Sequence, residues 1–148
     1  MMKPVVAIAC DHAGVELKSQ LKDALAAHAA QVIDLGTDSA ESVDYPDYGN
    51  KVAEAILSKK ASMGVAICGS GIGISIACNR HKGIRAALCS DGLTAALSRR
   101  HNDANILCLG ARLIGVEVAK DCLKQFFTSQ FEGGRHEQRV KKLDTLTA

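Results

Sequence analysis

The chain has 148 residues, 47% hydrophobic and 23% charged, with a formal net charge of +2 and 3% aromatic residues. That size and balance suit one globular domain, 1–148, able to bury a core without cross-links. They exclude a membrane span, which needs about 18 consecutive apolar residues, and give nucleic acid neither a basic field nor stacking platforms. The opening Met1-Met2-Lys3-Pro4-Val5 is too short an apolar stretch for a secretory signal. Cys10, Cys68, Cys78, Cys89, Cys108 and Cys122 lie in or beside apolar segments, with no C-x-x-C pair. They read as reduced, buried thiols of a cytoplasmic protein.

In chain order, short apolar runs suited to strands buried on both faces are expected at Val5–Cys10, Gln31–Leu35, Met63–Cys68, Arg85–Ser90 and Asn105–Leu109. Between them lie segments of helical period. Val15–Leu25 puts Leu17, Leu21, Ala24 and Leu25 on one face, and Tyr48–Leu57 groups Val52, Ala53 and Ile56. Gly92–Arg100 and Val116–Phe127 follow the same pattern, and the polar, basic tail from Glu132 is expected to end in a helix. Strand–helix alternation predicts an α/β fold: a doubly wound, five-stranded parallel sheet of flavodoxin-type order 2-1-3-4-5, with helices on both faces. In such a sheet a ligand sits beyond the carboxyl ends of strands one and three, where the order reverses. Those ends are Cys10-Asp11-His12-Ala13-Gly14 and Cys68-Gly69-Ser70-Gly71-Ile72-Gly73, the turns richest in reactive side chains.

The turn after the third strand carries three glycines into a helix. Glycine permits a sharp turn and close backbone approach, and the free amides of a helix start attract an anion. The spacing is neither a dinucleotide fingerprint nor a P-loop, since the third glycine comes early and no lysine follows. A nest for a phosphate or an enediolate oxygen fits, as does a purely structural turn. Cys68 stands just before it, and thiols at helix starts ionise more readily than free cysteine. Asp11 and His12 could reach a ligand or cap the next helix. His101 and Asn102 end the helix after the fourth strand, where histidine also suits the helix dipole. Arg112 follows the fifth strand, and Arg135 and Arg139 fall four apart on one face of a tail helix. Arginines near an anion nest point to phosphate recognition, a solvated basic tail being the plainer alternative. The histidines are scattered and no cluster has metal-ligand spacing, so no metal is expected.

Taken together, Cys10-Asp11-His12-Ala13-Gly14, Asp44-Tyr45-Pro46-Asp47-Tyr48, Cys68-Gly69-Ser70-Gly71-Ile72-Gly73, Arg100-His101-Asn102-Asp103-Ala104-Asn105 and Glu132-Gly133-Gly134-Arg135-His136 resemble the type B ribose-5-phosphate isomerases and the wider family that includes galactose-6-phosphate isomerase subunits. The resemblance implies aldose–ketose isomerisation through a cis-enediol, without cofactor. It implies Cys68 as the base, Ser70 as an aid to proton transfer, and the amides of Gly69, Gly71 and Gly73 around the enediolate. His101 would open the furanose ring. Asp11, His12, Tyr45 and Asn102 would touch the sugar, and Arg135 and Arg139, with Arg112, would clamp the phosphate. It further implies a homodimer or dimer of dimers with sites shared between chains. A branch of the family that uses a glutamate base has it where this chain has Ile74, which places the chain in the cysteine branch. The rivals are an isomerase of a six-carbon sugar phosphate (allose or galactose 6-phosphate), a non-catalytic phosphate-binding module, and a thiol redox sensor. The last lacks a resolving cysteine beside Cys68.

Overall fold

The computed structural model describes residues 2–146. In chain order the elements are β1 (Val5–Cys10), α1 (Val15–Ala26), β2 (Gln31–Asp34), α2 (Tyr45–Leu57), β3 (Met63–Cys68), α3 (Ile72–Asn79), β4 (Ala86–Leu88), α4 (Gly92–Asn102), β5 (Ile106–Gly110), α5 (Val116–Thr128) and α6 (Arg135–Thr145), with a 3-10 turn at His12–Gly14. The helix expected from Tyr48 begins a turn earlier. Pro46 lies in its first turn, where a missing N–H costs nothing. No helix among the described residues is long and apolar enough to cross a membrane.

The strands are all parallel, and β1 pairs with both β2 and β3 as the alternation requires. The order is β2-β1-β3-β5-β4, so the last two strands are exchanged relative to the expected 2-1-3-4-5. Burial explains the exchange. All five residues of β5 are buried, which an edge position would not allow, whereas β4 has only three residues and ends on Leu88, 42% exposed. Both runs are apolar in sequence, and nothing local ranks them.

Alternation along each strand divides the core in two. Val6, Ile8, Cys10, Val65, Ile67, Leu107 and Leu109 face α1, α4 and α5, meeting Leu21, Leu25, Ala95, Leu123 and Phe126. The smaller Ala7, Ala9, Ala66, Cys68 and Cys108 face α2 and α3, meeting Val52, Ala53, Ile74 and Cys78. The exchange of β4 and β5 has a consequence for α4. The chain runs backwards across the sheet from β4 to β5, and a right-handed crossover therefore lays α4 on the α1 and α5 face. Helix α4 thus packs on α5, and α6 packs in turn on α4.

Candidate active site

Strands β1 and β3 end side by side at the switch point, Cys10 opposite Ile67. An open cleft of about 350 Å³ lies there, lined by Asp11, Tyr45, Cys68, Gly69, Ser70, Gly73, Arg112 and Leu113. The Cys68 thiol is free, on the last residue of β3, and 4% of the residue is exposed. Beyond it the chain turns through Gly71, whose φ of 77° lies in the left-handed region that a side chain disfavours. The Ser70 Oγ accepts from the Ile72 N–H at 3.1 Å, a local bond that steadies the turn into α3, while its own hydroxyl hydrogen stays available to donate. Tyr45 packs its ring on Gly73, where a Cβ would stand 2.6 Å from the ring carbons. Two backbone bonds from the turn after β5 brace the loop: Ala111 N–H to Cys68 O and Arg112 N–H to Gly69 O, both 2.9 Å. They carry the Arg112 guanidinium over Gly69.

The first turn closes the other side. Asp11 is 6% exposed and accepts from the Ala13 N–H at 3.0 Å, with its second oxygen unspent by that bond. His12 Nδ1 accepts from the Val43 N–H at 3.1 Å, which puts the proton of the neutral ring on Nε2. The segment that leads to Tyr45 is held from below. Lys18, 2% exposed, donates to Asp34 at 2.7 Å and Asp38 at 2.9 Å, and Asp34 also receives Lys22 and the Gly36 N–H, each at 2.9 Å. Burial works to raise the Asp34 pKa, but these donors outweigh it and hold the carboxyl below its usual range. Burial pushes the Cys10 thiol, on the neighbouring strand end, up to about 11, so that thiol stays protonated and inert.

His101, Asn102, Arg135 and Arg139 lie elsewhere. Helix α4 runs from the carboxyl edge of the sheet to its amino edge, and His101 and Asn102 occupy its last turn. Asn102 lines a groove with Arg85, Ala86 and Ala104, at the starts of β4 and β5, whereas Cys68 pairs with Gly110 at the finish of β5. A strand's length, on the order of 15 Å, separates the two groups within one chain. Arg135 and Arg139 are exposed on α6, whose inward side carries His136 and Val140.

Beside His101 the fold assembles a cluster that sequence spacing did not reveal. The His101 and His136 rings stack with centroids 4.4 Å apart and planes 13° from parallel. Glu132 Oε1 stands 3.8 Å from His101 Nε2 and 3.7 Å from His136 Nε2. The histidines are 35 positions apart in sequence, and the one local sign is Glu132 and His136 at i and i+4 around Gly133-Gly134. Two imidazoles and a carboxylate within 4.8 Å of one another are a donor set for a transition metal. Nearly parallel rings, however, send their lone pairs side by side rather than to one point.

Fold and cleft define a class: parallel α/β proteins that present a thiol and a glycine nest at the switch point of the sheet. Residues 6–143 match the Ribose/Galactose Isomerase family, and the chain belongs to it. It is 45% identical over 141 residues to ribose-5-phosphate isomerase B of Escherichia coli, covering 95% of each chain. It superposes on ribose 5-phosphate isomerase of Thermotoga maritima with a TM-score of 0.94 at 50% identity, covering 98% of this chain and 100% of that one. The Mycoplasma genitalium ribose-5-phosphate isomerase B with bound ribulose-5-phosphate matches with a TM-score of 0.90 at 36% identity, covering 95% and 94%.

Proposed function

We propose that this chain interconverts ribose 5-phosphate and ribulose 5-phosphate, with Cys68 as the base that moves a proton between C2 and C1. The observation that carries the reading is the joining of three groups at one cleft: a thiol, a hydroxyl whose hydrogen is free, and a nest of amides beneath an arginine. An α-hydroxy carbon is weakly acidic, so its proton is removed only where a base and a preformed oxyanion site coincide. The Cys68 thiolate takes the C2 proton, and the electron pair passes to the carbonyl oxygen as an enediolate held by the amides of Gly69, Gly71 and Gly73. Ser70 carries the proton shift between the two sugar oxygens. The thiol then returns its proton to C1, so no net redox change occurs. A non-catalytic phosphate-binding module would need the nest and the arginine but neither the thiol nor the hydroxyl. Asp11 and Tyr45, which line the cleft, touch the sugar, together with His12 from the turn beside Asp11.

Ring opening needs a second group, and His101 is the imidazole for it. One chain cannot bring His101 to its own Cys68, because they occupy opposite edges of the sheet. The active form is therefore a homodimer, or a dimer of dimers, in which a partner chain supplies His101 and Asn102. The patch a partner would cover adjoins the nest. Ile72 and Ile76 of α3 are 51% and 58% exposed, and Leu88 reaches over Gly71. Arg135 and Arg139, with Arg112, bind the phosphate. The buried free thiols suit a reducing cytoplasm.

The test is conversion of ribose 5-phosphate by the wild type and by Cys68→Ala and Cys68→Ser, with allose 6-phosphate and galactose 6-phosphate as competing substrates. Both variants should fold and be nearly inactive. Wild-type turnover in Cys68→Ala would remove the thiol from the mechanism, and preference for a six-carbon substrate would change the substrate assignment.

A further inference from the structure

What holds the His101 imidazole, and what balances the charge it acquires when it takes a proton from the sugar, is answered by the cluster around it. We propose that Glu132 is the positioning residue for ring opening: its carboxylate steadies the imidazolium that His101 becomes, while the His136 ring fixes the plane of the His101 ring. This rests on His101 as the ring-opening group.

The arrangement is built into the backbone. The Glu132 N–H donates to the Arg100 carbonyl at 3.0 Å, tying residue 132 to the turn that carries His101. Gly133 and Gly134, with φ of 65° and 55°, then reverse the chain sharply into α6. The His136 N–H donates to the Gly133 carbonyl at 3.1 Å, which returns the second imidazole over the same carboxylate. His136 is 8% exposed, so it serves as a fixed plate against which the half-exposed His101 ring rests. Both Nε2 atoms approach the same Glu132 oxygen, and a carboxylate oxygen has two lone pairs to offer. Separations of 3.7 and 3.8 Å are longer than hydrogen bonds but within reach of a charge pair.

Charge supports the assignment. Burial, His101, Arg135 and Arg139 push His136 below its usual pKa, whereas Glu132 pushes it up. Glu132 is thus the neighbour that favours a proton on His136, and the same carboxylate oxygen faces His101 Nε2 at 3.8 Å. A carboxylate beside an imidazole serves the same purpose in hydrolytic triads, where it orients the ring and stabilises its charged form.

The experiment uses the intact oligomer and separates two steps. One assay follows cyclic ribose 5-phosphate to product; the other follows solvent-hydrogen exchange into open-chain ribulose 5-phosphate, which needs no ring opening. Glu132→Gln keeps the shape and removes the charge. It should lower kcat on the cyclic sugar about tenfold or more, as loss of an orienting partner does, leave KM nearly unchanged, and spare exchange. Glu132→Asp should recover part of the loss, and His136→Phe, which keeps a flat ring in the stack, should lose less than His136→Ala. In a His101→Ala background Glu132→Gln should cost nothing further, because a residue that acts through His101 has nothing left to position. Additive losses, or equal damage to exchange, would overturn the proposal. If His101→Ala itself leaves the cyclic reaction intact, the ring-opening assignment fails. If His101→Ala slows it and Glu132→Gln does not, this inference alone fails.

Discussion

Gly110→Ala makes a sharp probe of the loop that holds Cys68. Gly110 ends β5 directly opposite Cys68. A Cβ there would stand 2.5 Å from the Ser70 carbonyl oxygen, 2.6 Å from its carbon and 3.1 Å from its Cα. Non-bonded carbons settle about 3.5–4.0 Å apart, so the overlap is close to 1 Å. What it meets is loop backbone, not the pliable end of a side chain. Either the nest moves or the strand does, at a cost of about 1–3 kcal/mol. For a chain of this length that is roughly 3–10 °C in melting temperature. Displacing reacting groups by about 1 Å costs on the order of a hundredfold in rate, so kcat should fall far more than stability alone explains. Melting curves, and steady-state isomerisation measured well below the transition, separate the two effects. Gly115→Ser is the control: a Cβ there meets nothing within 4 Å, and serine suits the N-cap of α5. It should stay within about 0.5 kcal/mol of wild type. Wild-type kcat and melting temperature in Gly110→Ala would refute the braced-loop argument.

The proposed sharing of the site between two chains predicts complementation. Cys68→Ala and His101→Ala, each inactive on cyclic substrate, should regain about a quarter of wild-type activity when co-expressed, since half of random dimers are mixed and each mixed dimer holds one intact site; no recovery would mean that one chain completes its own site. Arg139→Ala should raise KM for ribose 5-phosphate about tenfold or more, the worth of a charge-assisted bond, yet cost little on free ribose, which has no phosphate to hold. Equal losses on both sugars would make the arginine structural. Lys18→Met removes one charged donor from the partly exposed Asp34, which keeps Lys22 and the Gly36 N–H, and should destabilise the protein by about 1.5–3 kcal/mol. The linked pH dependence has a definite sign. The Asp34 pKa is depressed, so its contribution is present above about 3.9 and lost as pH falls through the folded value. Burial lowers the Lys18 pKa, but hydrogen bonds to Asp34 and Asp38 outweigh it and raise the value, so that contribution is full below about 10.4 and lost as pH rises through the folded value. Melting temperature should therefore fall below pH 4 more steeply in wild type than in Lys18→Met, and parallel curves would contradict this account.

The strands, the helices and the cleft around Cys68 were legible because each rests on local chemistry. Apolar runs alternating with helical periods force parallel crossovers, and a parallel sheet with β1 beside β3 brings the turns after Cys10 and Cys68 together. Asp11, Ser70, Gly71 and Gly73 therefore meet wherever such a sheet forms. The exchange of β4 and β5 was not legible, since both runs are short and apolar. Only the competition for the buried position, which the fully buried β5 wins over the three-residue β4, decides it. That single exchange sends α4 to the other face of the sheet. Only tertiary packing brings α4 and α6 together, so that Glu132 and His136 close on His101. Sequence can announce a glycine turn or a thiol at a strand end, because a few neighbouring residues determine them. It cannot announce a cluster whose members are joined by the order of strands, because that order is fixed by burial summed over the whole sheet.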